Sequence, residues 1–153
     1  MANAGNLIFA DEIFSLEACL AHQIPGYLIL RLRQSHPTFS GLSDQVAQQL
    51  GLAVAKISAL VEGKVAAETV YVMRFGEESR QIHFHIFPRT RRMDEAFRSH
   101  HSSCGQFLNG PLVFEWARNH FKTEQESLIN WGLDFDFKAF AECLYQVMRS
   151  LSQ

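Results

Sequence analysis

A chain of 153 residues, 47% of them hydrophobic and 20% charged, can bury a sizeable core without staples and is most simply one domain, with room for an appended subdomain. Its formal net charge of −2 argues against a general nucleic-acid coat, and no apolar run reaches the roughly 18 residues of a membrane span. Cys19, Cys104 and Cys143 are scattered and odd in number, which points to reduced thiols and a cytoplasmic setting rather than a disulfide framework. Residues 1–6 lack the basic and apolar regions of a signal peptide.

Two short strands open the chain, Leu7–Ala10 and Ile13–Leu20, around a turn at Asp11-Glu12. In the second, Ile13, Ser15, Glu17 and Cys19 share one face, because side chains alternate along a strand. Pro25-Gly26 signals a turn, and a third strand follows at Tyr27–Arg33, with Leu30 and Leu32 on one side and Arg31 and Arg33 on the other. A loop at Ser35–Gly41 carries His36. Ser43 or Asp44 can cap a helix over Gln45–Glu62, where Val46, Leu50, Val54, Ile57 and Val61 recur at helical spacing and Gly63 suits the C-cap. Gly51 weakens that helix by about 1 kcal/mol relative to Ala. Thr69–Phe75 is β-branched and aromatic, hence a strand, and Gly76–Ser79 turns it back in a hairpin.

The returning strand, Arg80–Arg89, has two unlike faces. Ile82, Phe84 and Ile86 point to a core, while Gln81, His83, His85 and Phe87 point the other way. A row of Gln-His-His is costly unless it meets solvent, a ligand or hydrogen-bond partners. Pro88, lacking an N–H, is expected to end the strand, and Arg89, Arg91 and Arg92 follow at once. Histidines with arginines at the exit describe a pocket for an anion, most simply phosphate. Further on, Asp94–His101 reads as a short helix. Asn109-Gly-Pro111 is a turn that starts a helix with Leu112, Val113, Trp116, Ala117 and His120 or Phe121 on one face. Asp134 or Asp136 caps a last helix whose stripe runs from Phe137 through Phe140, Leu144 and Met148 to Leu151. His100, His101, Cys104 and His120 have no strong zinc-ligand spacing and read as surface.

Gln81-Ile-His83-Phe-His85-Ile-Phe87-Pro-Arg89 resembles the signature of the histidine triad (HIT) family, in which three histidines alternate with apolar residues and Pro-Arg often follows. Two histidines, the apolar positions and Pro-Arg match; the first histidine is Gln81. Three strands, a long helix and a hairpin ending in the histidine strand are also in the family's order. The resemblance implies an α+β fold: a HIT-like antiparallel sheet with one long helix packed on it over residues 1–92, and a C-terminal helical extension over residues 93–153 packed on the same domain.

For activity, the resemblance implies a nucleotide hydrolase or nucleotidyl transferase. His83 would attack the α-phosphorus of a nucleoside phosphoramidate or dinucleoside polyphosphate and form a nucleotidyl-histidine that water then hydrolyses. Imidazole suits this step because it is a good nucleophile near neutral pH. His85 would bind phosphate oxygens or assist the leaving group, and Gln81 would orient its neighbours, since an amide carries no proton charge at pH 7. His36 lies near the place of another family histidine, and Arg74 near that of an asparagine. Ser79 can replace the hydroxyl of the family's Gly-Gln-Ser/Thr turn, here Gly76-Glu77-Glu78. Arg89 would contact phosphate and Glu17 the ribose. The resemblance implies no metal and no cofactor, a nucleotide as substrate and a homodimer joined through its sheets. Two other readings stand beside this one. A HIT-like module could bind a nucleotide or phosphate without turnover, a reading that Gln81, Glu77 and Glu78 favour. His83 and His85 could instead hold a metal, which the neighbouring arginines oppose.

Overall fold

The computed structural model describes residues 6–22, 24–34, 38–103, 105–121 and 135–153. Along the chain run β1 (Leu7–Ala10), β2 (Phe14–Ala18), β3 (Leu28–Leu32), α1 (Asp44–Val65), β4 (Ala67–Met73), β5 (His83–Thr90), α2 (Arg91–His100), α3 (Gly110–His120) and α4 (Phe137–Leu151). Short 3-10 turns occupy Leu20–His22 and Phe39–Gly41. The strands form one antiparallel sheet in the order β1-β2-β3-β5-β4. The fold class is therefore α+β, as the succession of elements predicts.

Local chemistry accounts for the element ends. The Asp11 carboxylate accepts the N–H groups of Ile13 and Phe14, which closes the β1–β2 turn. Ser43 caps α1 by accepting the N–H of Val46, and Thr90, Asn109 and Asp136 cap α2, α3 and α4 in the same way. Asp134 lies outside the described residues. Gly63 is not the C-cap of α1. The helix runs on to Val65, because Val65 extends the buried stripe of Leu50, Ala53, Ile57 and Val61, and Ala66 takes the left-handed cap at φ 50°.

Nor does Pro88 end β5, which continues to Thr90. β3 begins at Leu28, opposite Ile86, so beyond that point β5 is flanked only by β4, and an edge tolerates a residue without an N–H. β4 begins and ends two residues earlier than its composition suggests, leaving Arg74 and Phe75 in the turn. α2 starts at Arg91 rather than Asp94, since Thr90 supplies its cap.

Two cores lie on opposite faces of the sheet. On one face Phe14, Leu16, Leu28, Leu30, Leu32, Ile82 and Ile86 pack under α1 and under Phe140, Leu144 and Met148 of α4. On the other, Tyr27, Ile29 and Phe87 pack under Met93 and Phe97 of α2 and Val113, Phe114 and Ala117 of α3. Each wholly buried aliphatic or aromatic side chain contributes on the order of 1.5–3 kcal/mol. Of the residues expected on the inner face of α3, Val113, Ala117 and Phe121, the alternative to His120, are buried, while Leu112 is exposed. Phe114, not expected there, is buried beside them, so the stripe is shifted by one position at its start. Phe137 likewise stays exposed at the start of α4. No helix among the described residues is long and apolar enough to cross a membrane.

Candidate active site

A turn sets the site's floor. Ile24-Pro25-Gly26-Tyr27 closes with Tyr27 N–H donating to the Ile24 carbonyl at 3.0 Å, and Gly26 sits at φ 81°. Proline second and a positive-φ glycine third is the type II arrangement. A side chain at Gly26 would also meet Val65 at 3.0 Å. The turn delivers Tyr27 to the second face of the sheet, beside the histidine row. There the register places Arg31 opposite His83 and Ile29 opposite His85, with Ser15 and Glu17 of β2 next along.

Both histidines are fixed through Nδ1. His83 is 8% exposed and bonds the main-chain carbonyl of Gln81 at 2.8 Å. A carbonyl only accepts, so Nδ1 carries the proton and Nε2 of the neutral ring keeps its lone pair. His85 Nδ1 lies 2.7 Å from the Tyr27 hydroxyl. Burial, and then the neighbouring Cys19, push the Tyr27 phenol well above its ordinary value, so it keeps its proton, which it can donate to His85 or to the Cys19 sulfur. Where the phenol donates to Nδ1, the proton of the His85 ring sits on Nε2. Burial, followed by the charges of His83, Arg118, Arg31 and His22, pushes His85 down to about 4, so its ring is neutral at pH 7. The two rings stand 5.3 Å apart, edge to face.

Gln81 works through two bonds. Its main-chain carbonyl holds His83, which any residue type would do, and its side-chain amide donates to the Leu32 carbonyl at the end of β3. An amide side chain at this position therefore leaves the orientation of His83 intact. Glu17 is 12% exposed and accepts from Arg31 Nε at 2.9 Å, so the carboxylate expected at a ribose is engaged by arginine. Gln81, His85, Tyr27, Arg31, Glu17 and Glu78 all line one open cleft.

The C-terminal third, outside the resemblance, adds Arg118 to the cleft and packs a buried ring behind His85. Phe114 of α3 lies 6.0 Å from both Tyr27 and His85, ring centre to ring centre, and Phe75 stacks on it at 5.9 Å. These rings desolvate His85. One turn along α3, Arg118 lies over Phe114 at 4.9 Å, and its carbonyl accepts from His22 Nδ1 at 3.0 Å. Burial and then the charge of Arg118 lower His22, and burial raises the Cys19 thiol. Tyr27, Phe114 and Arg118 are not among the residues expected at the site from the sequence. The only local signal was Pro25-Gly26 immediately before Tyr27.

Other expected residues fall elsewhere. His36 lies outside the described residues. Ser79 is part of its own turn, where its hydroxyl accepts the Gln81 N–H at 3.3 Å. Arg74 donates to the Arg80 carbonyl at 3.4 Å and covers the Phe39 ring at 5.3 Å. Arg89 pairs with Asp94 and, at 3.9 Å, with Glu68, in a second cleft beside Tyr71 and Gly110. Arg91 pairs with Glu95 on the surface. His100, His120 and Trp116 form an outward aromatic cluster. Among the described residues no group of three His, Cys, Asp or Glu side chains is placed to hold a metal ion.

No family model matches the sequence, and no curated protein matches it. Solved structures do match. A histidine triad protein from Sinorhizobium meliloti superposes with a TM-score of 0.53 at 16% identity, over 77% of this chain and 89% of that one. The chain has the HIT-like fold. A histidine triad protein from Bradyrhizobium japonicum gives 0.51 at 13% identity, over 76% of this chain and 90% of that one. A zinc-bound histidine triad family protein from Mycobacterium smegmatis gives 0.50 at 10% identity, over 95% of this chain and 85% of that one. At these identities the likeness establishes the HIT-like fold alone.

Proposed function

We propose that the protein is a HIT-type nucleotide hydrolase or nucleotidyl transferase. It acts on the α-phosphate of a nucleoside phosphoramidate or dinucleoside polyphosphate through a nucleotidyl-histidine at His83. The observation that carries this reading is the bond from His83 Nδ1 to the Gln81 carbonyl, which reserves the Nε2 lone pair for attack. In the first step Nε2 bonds the α-phosphorus, the bond from phosphorus to the leaving group breaks, and its electron pair departs with that group, as a phosphate anion or, with a proton taken up from water, as an amine. The imidazolium so formed keeps its Nδ1 proton on the Gln81 carbonyl. His85, neutral and with its proton on Nε2, donates a hydrogen bond to a phosphoryl oxygen without first needing to be ionised. In the second step water attacks phosphorus, the N–P bond returns its pair to Nε2, and a proton passes to solvent. Gln81 enters through its main-chain carbonyl, so the missing first histidine is compatible with both steps.

The test is nucleoside monophosphate release from a panel of adenosine and guanosine phosphoramidates and dinucleoside polyphosphates. Wild type should release it from at least one member. His83→Asn, whose amide cannot replace the nucleophile, should fall by about a thousandfold or more. Equal release by both proteins would sink the reading. Saturable binding without release would support a non-catalytic nucleotide-binding protein instead.

A further inference from the structure

We propose that Arg118, carried by α3, binds a second anionic group of the substrate, the phosphate that departs when His83 attacks, and so fits this cleft to phosphoanhydrides. The inference rests on the function proposed above and adds a residue and a leaving group to it. Three observations converge. First, Arg118 lines the same cleft as His85, Tyr27 and Gln81. Second, its charge is not spent within the protein. Among the described residues no carboxylate lies within ion-pair distance of it, and its buried Nε has no hydrogen-bond partner. Glu17, the nearest candidate by strand position, is taken by Arg31. A buried guanidinium N–H without an acceptor is costly, and an incoming phosphate oxygen removes that cost. Third, the cation rests on the Phe114 face, which holds it in place beside the cleft.

The leaving group follows from the same surroundings. An amine leaving from phosphorus needs a proton. A neutral His85 ring, whose Nδ1 is bonded to Tyr27 in either tautomer, is a poor acid, and Gln81 has no acid to offer. A phosphate leaving group departs as the anion when the P–O bond breaks and needs no proton. Its developing charge needs a cation, and Arg118 supplies one. Three arginines against two glutamates along the cleft give the matching sign.

Two measurements test this on the full chain. The first compares kcat/KM for a dinucleoside triphosphate and for a phosphoramidate of the same nucleoside. Arg118→Gln should lower the first about 10- to 100-fold and the second less than about threefold, with Arg118→Lys between. The second is calorimetric binding of nucleoside diphosphate and monophosphate, which needs no turnover. Wild type should prefer the diphosphate about tenfold or more, and Arg118→Gln should lose that preference while melting as wild type does. An equal loss on both substrates, or a diphosphate preference unchanged by Arg118→Gln or absent from wild type, would overturn the proposal. A preference that Arg118→Gln removes, in a protein that turns over nothing, would keep the anion site and reject the hydrolase.

Discussion

Arg89 and Arg118 lie near the two ends of α3, and their surroundings are opposite. Arg89 follows the histidine strand directly, the place where the sequence promises a phosphate contact. It is tied to Asp94 and Glu68 instead, and although burial works against its charge, those partners raise its pKa above the ordinary value. Arg118 lies outside the resemblance altogether, yet it faces the cleft with no carboxylate partner among the described residues. An arginine already matched to a carboxylate holds the fold together, whereas one left over an aromatic ring remains able to take an anion. Proximity to a motif does not decide between these; the partners do.

Substitutions can break that comparison. The largest stability effect is expected from Arg89→Ala. It strands the Asp94 carboxylate, 15% exposed, and should cost about 2–3 kcal/mol in urea unfolding while changing turnover less than about threefold. Arg118→Gln should do the reverse, shifting stability by no more than about 0.5 kcal/mol. If Arg89→Ala abolished turnover at unchanged stability, the two assignments would have to be exchanged. Next comes Tyr27→Phe, which removes the donor that sets the His85 tautomer. A loss of about 1 kcal/mol and a roughly tenfold fall in kcat are expected, and unaltered kcat would mean that the bond is structural only.

A further effect concerns pH. His85 is depressed from an ordinary value near 6.5 to about 4 in the folded chain. The unfolded chain therefore binds the proton first as pH falls. The stability that neutral His85 contributes is complete above about 6.5 and is lost between there and about 4. The urea midpoint of wild type should fall across that window, and His85→Asn should flatten the fall. A parallel decline in both proteins would assign it to other groups.

The first face of the sheet was legible because its rule is simple. Leu28, Leu30 and Leu32 alternate, Leu50, Ile57 and Val61 recur at helical spacing, and each needs only an apolar neighbour. The histidine row was legible for the complementary reason: polar side chains on alternate positions demand partners. What the partners are could not be read. His83 bonds a main-chain carbonyl, which no residue type announces, and Tyr27 reaches His85 from 58 residues away. Phe114 and Arg118 depend on how α3 is rotated, and the apolar pattern of that helix fits a stripe one position away almost as well. Where Glu17 and Ser79 would act was equally hidden, because Arg31 and the Gln81 N–H claim them only in three dimensions.

The most direct test of the account is the intact mass of the protein quenched within a fraction of a turnover after mixing with the best substrate of the panel. The account predicts a transient increment of one nucleotidyl group on wild type, localised to His83, and none on His83→Asn. An increment on both proteins, or rapid monophosphate release by wild type with no increment at any quench time, would contradict it.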